Sequence, residues 1–175
     1  MSSDELFDFG PERLPIPEAF HSFESGAAFQ CCSVCSSPFG AELPYVIEKG
    51  FLKGETIYEV AICLDCRGGI REELSEESRQ RIESHLRERM RFRNVPEEPL
   101  SRCLLSDGPL GDEYVICGIF IGDAMSPDMP PFAISGTEME KMDHLLSKPT
   151  RERLDDFVDD VLGIPGLGNP VPMMV

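Results

Sequence analysis

Cys32-Ser33-Val34-Cys35 and Cys63-Leu64-Asp65-Cys66 decide how this chain is read. Two cysteine pairs of the same spacing in one short segment supply the four soft donors of a tetrahedral metal centre. Between them, Tyr45-Val46-Ile47-Glu48-Lys49-Gly50-Phe51 and Thr56-Ile57-Tyr58-Glu59-Val60-Ala61-Ile62 are rich in β-branched and aromatic residues. Leu52-Lys53-Gly54-Glu55 separates them, so the pattern predicts a β-hairpin whose second strand runs into Cys63. Past Cys66, Gly68-Gly69 predicts a turn, and Ser75 followed by Glu76 and Glu77 predicts a helix start with acids at the positive end of the dipole. Ile82, Leu86 and Met90 then recur every four residues and mark one helical face. Pro96 and Pro99 close the segment.

Knuckle, hairpin, then a second ligand pair at the head of a helix resembles a treble-clef zinc finger over about residues 32–90. The resemblance implies a fold and a metal without implying an activity. Many zinc knuckles carry glycine just after the second cysteine, whereas Ser36 and Arg67 stand at those points here. Cys32, Cys35, Cys63 and Cys66 are the candidate ligands of a structural Zn(II), because four thiolates close the coordination shell against water and substrate. Iron is the alternative, since the same donors accept it or an iron-sulfur cluster. Cys31 competes with Cys32, but its spacing to Cys35 is one residue longer.

The pattern recurs farther on. Cys103-Leu104-Leu105-Ser106-Asp107-Gly108-Pro109-Leu110-Gly111 aligns without gaps beneath Cys32 to Gly40 at an offset of 71, with cysteine, proline and glycine coinciding. Glu113-Tyr114-Val115-Ile116 falls under the segment ending Tyr45-Val46-Ile47, and Leu146 to Leu154 falls under Leu74 to Ile82 at an offset of 72. On that register Ser106, Ser135 and Glu138 replace Cys35, Cys63 and Cys66. The expected architecture is α+β: two tandem treble-clef-like halves of knuckle, hairpin and helix, the second degenerate and metal-free. Its parts are an N-terminal arm (1–27), a zinc-binding module (28–95), a degenerate copy (96–165) and a C-terminal tail (166–175). In the second copy Leu154, Phe157, Val158 and Val161 form an apolar stripe ending at a Gly163 cap, so burial can stand in for metal. Cys103 and Cys117 read as small buried apolar residues.

Net charge is −16 over 175 residues, and only residues 67–93 are net basic, at +2, while 94–175 carry −10. Such a field opposes nucleic acid and anionic lipid. No apolar run approaches membrane-span length and no signal sequence is evident, so a reduced, cytoplasmic, soluble protein is expected. There is no phosphate loop, zinc-protease motif or nucleophile elbow, and His21, His85 and His144 stand alone in sequence. Gly163 to Gly168 has glycines at the wrong spacing for dinucleotide binding. The expectation is therefore a non-enzymatic protein-interaction or regulatory protein, with Arg87, Arg89, Arg91 and Arg93 as a candidate surface for an unidentified protein partner. A nucleic-acid-associated zinc finger and a CxxC thiol redox protein or sensor are the alternatives.

Overall fold

The hairpin forms as read: β1 (Pro44–Leu52) and β2 (Glu55–Cys63) pair antiparallel around Lys53 and Gly54, both at positive φ. That turn matches the twist of the flanking strands, and glycine at its second corner makes it cheap. The computed structural model describes residues 13–90 and 98–163. Chain order continues with α1 (Leu64–Glu73), α2 (Glu76–Met90), β3 (Glu113–Ile121), β4 (Ala124–Met125), β5 (Phe132–Ser135), α3 (Gly136–Asp143) and α4 (Lys148–Leu162). The fold is thus α+β, with an antiparallel sheet.

Gly68 and Gly69 do not turn the chain. They lie inside α1, which begins directly at Cys63 and ends at Leu74. Each glycine costs an exposed helix about 1 kcal/mol. Burial of Ile70 and Leu74 against the sheet, with Cys63 as N-cap, offsets that cost. The predicted helix at Ser75 follows as α2, where Ile82 is fully buried, Leu86 half-buried and Met90 exposed. In α4, Leu154 and Val158 are buried, Phe157 and Val161 pack beside them, and Gly163 ends the helix at φ 64° with its N–H on the Asp159 carbonyl.

β1 sits at the centre of the sheet, between β2 and β3, and β4 and β5 both pair with the far side of β3. The β1–β3 register places Glu48 opposite Cys117, the residue aligned with it at an offset of 69 when Tyr45 is set over Tyr114. The helix starts meet in the same reciprocal way. Ser75 Oγ lies 3.3 Å from Ser147 Oγ; the Ser75 N–H donates to Thr150 Oγ1 at 2.9 Å and the Ser147 N–H to Ser78 Oγ at 2.9 Å. Each contact maps onto the other by the offset of 72, the self-complementary pattern of a two-fold interface.

On the helix face of the sheet, one apolar core draws on both sequence segments, from Val46, Val60 and Ile82 to Cys103, Val115 and Leu154. On the opposite face Phe20 and Ile16 cover Tyr45, Ile47, Ile116 and Phe120. The arm is thus laid on the body over its described part, extended at Leu14 to Ile16, where it bonds to Asp123 and Met125. Lys49 pins it, donating to the His21 carbonyl at 2.7 Å and pairing with Glu59, which in turn accepts from Ser22 and Phe23. Phe7, Phe9 and Pro11 of the arm, Pro96, and residues 166–175 of the tail lie outside the described residues.

Glu48 is a carboxyl inside this core, 2% exposed, accepting from the Tyr58 hydroxyl at 2.5 Å. Burial pushes it up to about 8 from the ordinary 4.5, against the lowering effect of Tyr58. As pH rises, the unfolded chain releases this proton first, so folding pays nothing below about 4.5, progressively more up to about 8, and a constant amount above. Glu48→Gln keeps an acceptor for Tyr58 and removes the ionisation. Its stability relative to the parent should climb between pH 4.5 and 8 by on the order of a few kcal/mol and then level off, measured by denaturant titration across pH. A pH-independent difference would refute this account.

Candidate metal centre

Two elements bring the cysteines together. The knuckle Cys32 to Cys35 is folded back by Cys32 N–H to the Ser37 carbonyl and Ser36 N–H to the Cys32 carbonyl. Ser36 takes φ 61°, the left-handed conformation for which glycine is the usual residue, at a cost of about 1 kcal/mol. The second pair rides on α1: Cys63 is its N-cap and Cys66 lies in its first turn. Ser33 docks the knuckle onto β2, donating its N–H to the Ala61 carbonyl at 2.7 Å and accepting the Ala61 N–H on its hydroxyl at 3.0 Å.

The sulfur atoms of Cys32, Cys35, Cys63 and Cys66 all lie within 4.8 Å of one another, and Cys35 and Cys63 are 3.9 Å apart. Tetrahedral bonds of about 2.3 Å to one ion set sulfurs about 3.8 Å apart, so the group has the dimensions to hold a metal ion. Backbone N–H groups aim at the sulfurs: Val34 and Cys63 donate to Cys32 at 3.4 and 3.5 Å, and Cys66 donates to Cys63 at 3.5 Å. Such donors stabilise thiolate over thiol. Cys32 is buried, Cys63 and Cys66 half-buried, Cys35 exposed. Cys31 is exposed and bridges to Pro38, outside the four-sulfur group.

In the metal-free arrangement the thiols differ. Hydrogen bonds from the Ser37 side chain and backbone hold Cys35 down at about 6. Burial, then hydrogen bonding to the neighbouring cysteines, pushes Cys66 above the ordinary thiol range, and burial raises Cys63. A bound metal would leave all four sulfurs charge-compensated and the shell full.

The aligned positions in the second segment keep the same wiring with other chemistry. Ser135 caps α3 and donates through N–H and hydroxyl to Cys103 Sγ at 3.4 and 3.5 Å, while the Glu138 N–H donates to Ser135 Oγ. Glu138, 2% exposed, pairs with Lys141 Nζ at 2.8 Å. Lys141 thus pairs with the carboxylate that stands at the position aligned with Cys66, and a Lys three residues after an acid on a helix was the readable sign of it. Cys103 and Cys117 are both buried.

Arg87 and Arg89 lie at the end of α2, Arg87 exposed, and Arg91 and Arg93 fall outside the described residues. Glu83, on the same helix, pairs with Arg71 of α1 at 2.6 Å. Among the described residues no helix is long and apolar enough to cross a membrane. Comparison with known protein families, curated proteins and solved structures finds none that matches this chain.

Because Cys63 and Cys66 hold their protons in the metal-free chain, metal uptake should expel protons, and affinity should rise with pH from 6 to 8 in chelator competition. Removing two ligands by Cys63→Ser with Cys66→Ser should abolish metal and lower stability steeply, since binding at such sites supplies about 10 kcal/mol coupled to folding. Retained metal stoichiometry and melting temperature in that variant would exclude the site.

Proposed function

We propose that this chain is a non-enzymatic, zinc-stabilised interaction protein made of two tandem treble-clef-like halves, 28–95 and 96–165, of which the second has exchanged metal for burial and an ion pair. The observation that carries this reading is the sulfur group itself: all four donors converge, so a bound Zn(II) has no position left for water or substrate and acts on stability. Free thiols in that spacing suit the reducing cytoplasm. The duplication is supported by the reciprocal contacts about Glu48/Cys117 and Ser75/Ser147 and by the shared wiring of the two knuckles. The partner is a protein, because a net charge of −16 repels polyanions.

Elemental analysis of protein purified without chelator should give one zinc per chain; iron, or no metal, would overturn the assignment. Descent from a metal-binding copy has its own test. Ser106→Cys, Ser135→Cys and Glu138→Cys together restore the ligand set beside Cys103, and the triple variant should bind a second zinc. A stable triple variant that still binds one would contradict it. For the basic run, Arg87→Glu with Arg93→Glu should abolish capture of the protein partner in affinity pulldown while zinc content and melting temperature stay unchanged. Capture that survives the reversal would remove the run from the interface.

A further inference from the structure

In the first segment α1 and α2 are clasped by the Arg71–Glu83 pair at 2.6 Å. Seventy-two residues on, the same two positions on α3 and α4 are Asp143 and Asp155, and Arg87 becomes Asp159. Where one half joins its helices with opposite charges, the other sets carboxylates together. Burial, then Asp143 and Asp159, push the Asp155 carboxyl above its ordinary range. Arg151 offsets part of this charge, its Nε 3.5 Å from Asp143 Oδ2, but its guanidinium also serves the Asp143 and Leu146 carbonyls.

These helices face the β1–β2 hairpin across a cavity of about 820 Å³. Its floor is apolar: Ile57, Tyr58, Leu110, Val115, Met139 and Val158. Its rim carries Asp112, Glu113, Glu140, Asp143, Asp155 and Asp159, with Arg151 the one cation among the described lining residues. Among the described residues these carboxylates do not converge as the ligands of a single ion. The arrangement therefore calls for a cation carried on a long side chain, and the floor calls for apolar body beneath it.

We propose that this cleft docks a peptide segment of a protein partner, with an arginine or lysine side chain placed between Asp143 and Asp155 as Arg71 lies against Glu83, and apolar side chains on the Ile57–Tyr58–Val158 floor. The assignment rests on the interaction reading above and names the chemistry of one partner surface. Charge complementarity selects the occupant, since nucleic acid and acidic peptides share the sign of the rim.

The test is fluorescence anisotropy on the zinc-loaded full chain at about 150 mM salt, with a labelled peptide alternating arginine and leucine. Comparators carry glutamate for arginine or glycine for leucine. The arginine–leucine peptide should bind and both comparators should bind at least about tenfold more weakly. Asp155→Asn with Asp159→Asn should weaken binding about tenfold, as should Asp143→Arg, which supplies the cation internally. Glu24→Gln with Glu42→Gln, equal in charge removed but remote from the cleft, should leave it unchanged. Equal weakening by that remote pair, equal binding of the glycine peptide, or no binding by the parent would each overturn the proposal. Any of these results with one zinc per chain and pulldown capture intact would remove the cleft assignment alone. Absence of both metal and partner capture would remove the interaction reading as well.

Discussion

Everything else in this molecule hangs on the antiparallel pairing of β1 with β3. That register sets Glu48 against Cys117, brings the helix starts at Ser75 and Ser147 into contact, and leaves β2 on one side and β4 and β5 on the other. It also obliges the two sequence segments to share a core, because Val46 and Val60 from one and Val115 and Leu154 from the other pack in the same cluster. The cost of the arrangement is a carboxyl on the joint, Glu48, whose second oxygen finds no hydrogen-bond partner among the described residues. A buried charge unable to pair is held protonated instead, which is what its raised titration expresses.

The two knuckles solve one problem with different means. A short α+β segment has too much surface for its volume to be held together by burial alone. Around Cys32 four sulfurs converge; beside Cys103 the aligned positions are Ser106, Ser135 and Glu138, with Lys141 paired to Glu138. The strain is alike in both, with Ser36 at φ 61° and Asp107 at φ 57°. Keeping that backbone without glycine points to a loop whose path is dictated by the N–H groups it must aim at sulfur or hydroxyl.

What was readable in the sequence is what depends on near neighbours. The hairpin around Lys53-Gly54, the apolar stripe of α4 and the Gly163 cap follow from strand alternation, helical period and left-handed turn preference, and all three form. The grouping of Cys32, Cys35, Cys63 and Cys66 was readable because two pairs of the same close spacing, joined by a hairpin, are brought to one place. α1 was not, since Gly68-Gly69 looks like a turn and becomes helix only through the Cys63 cap and the burial of Ile70 and Leu74. Nor were the β1–β3 pairing and the acidic cleft, which arise between residues far apart in the chain or depend on which helix face meets the sheet.

On the proposed duplication, both halves of a two-fold contact are carried in one polypeptide, which changes its thermodynamics. A symmetric dimer of such units would dissociate on dilution, whereas a tether raises the effective concentration of each half around the other to the millimolar range. Association then no longer needs a self-complementary surface on both sides. The constraint of identity is lifted: one half can keep four sulfurs and the Arg71–Glu83 clasp while the other becomes acidic at Asp143, Asp155 and Asp159. In that reading, asymmetry of charge across a repeated backbone is the freedom that covalent linkage supplies, and the two proposed halves present unlike faces.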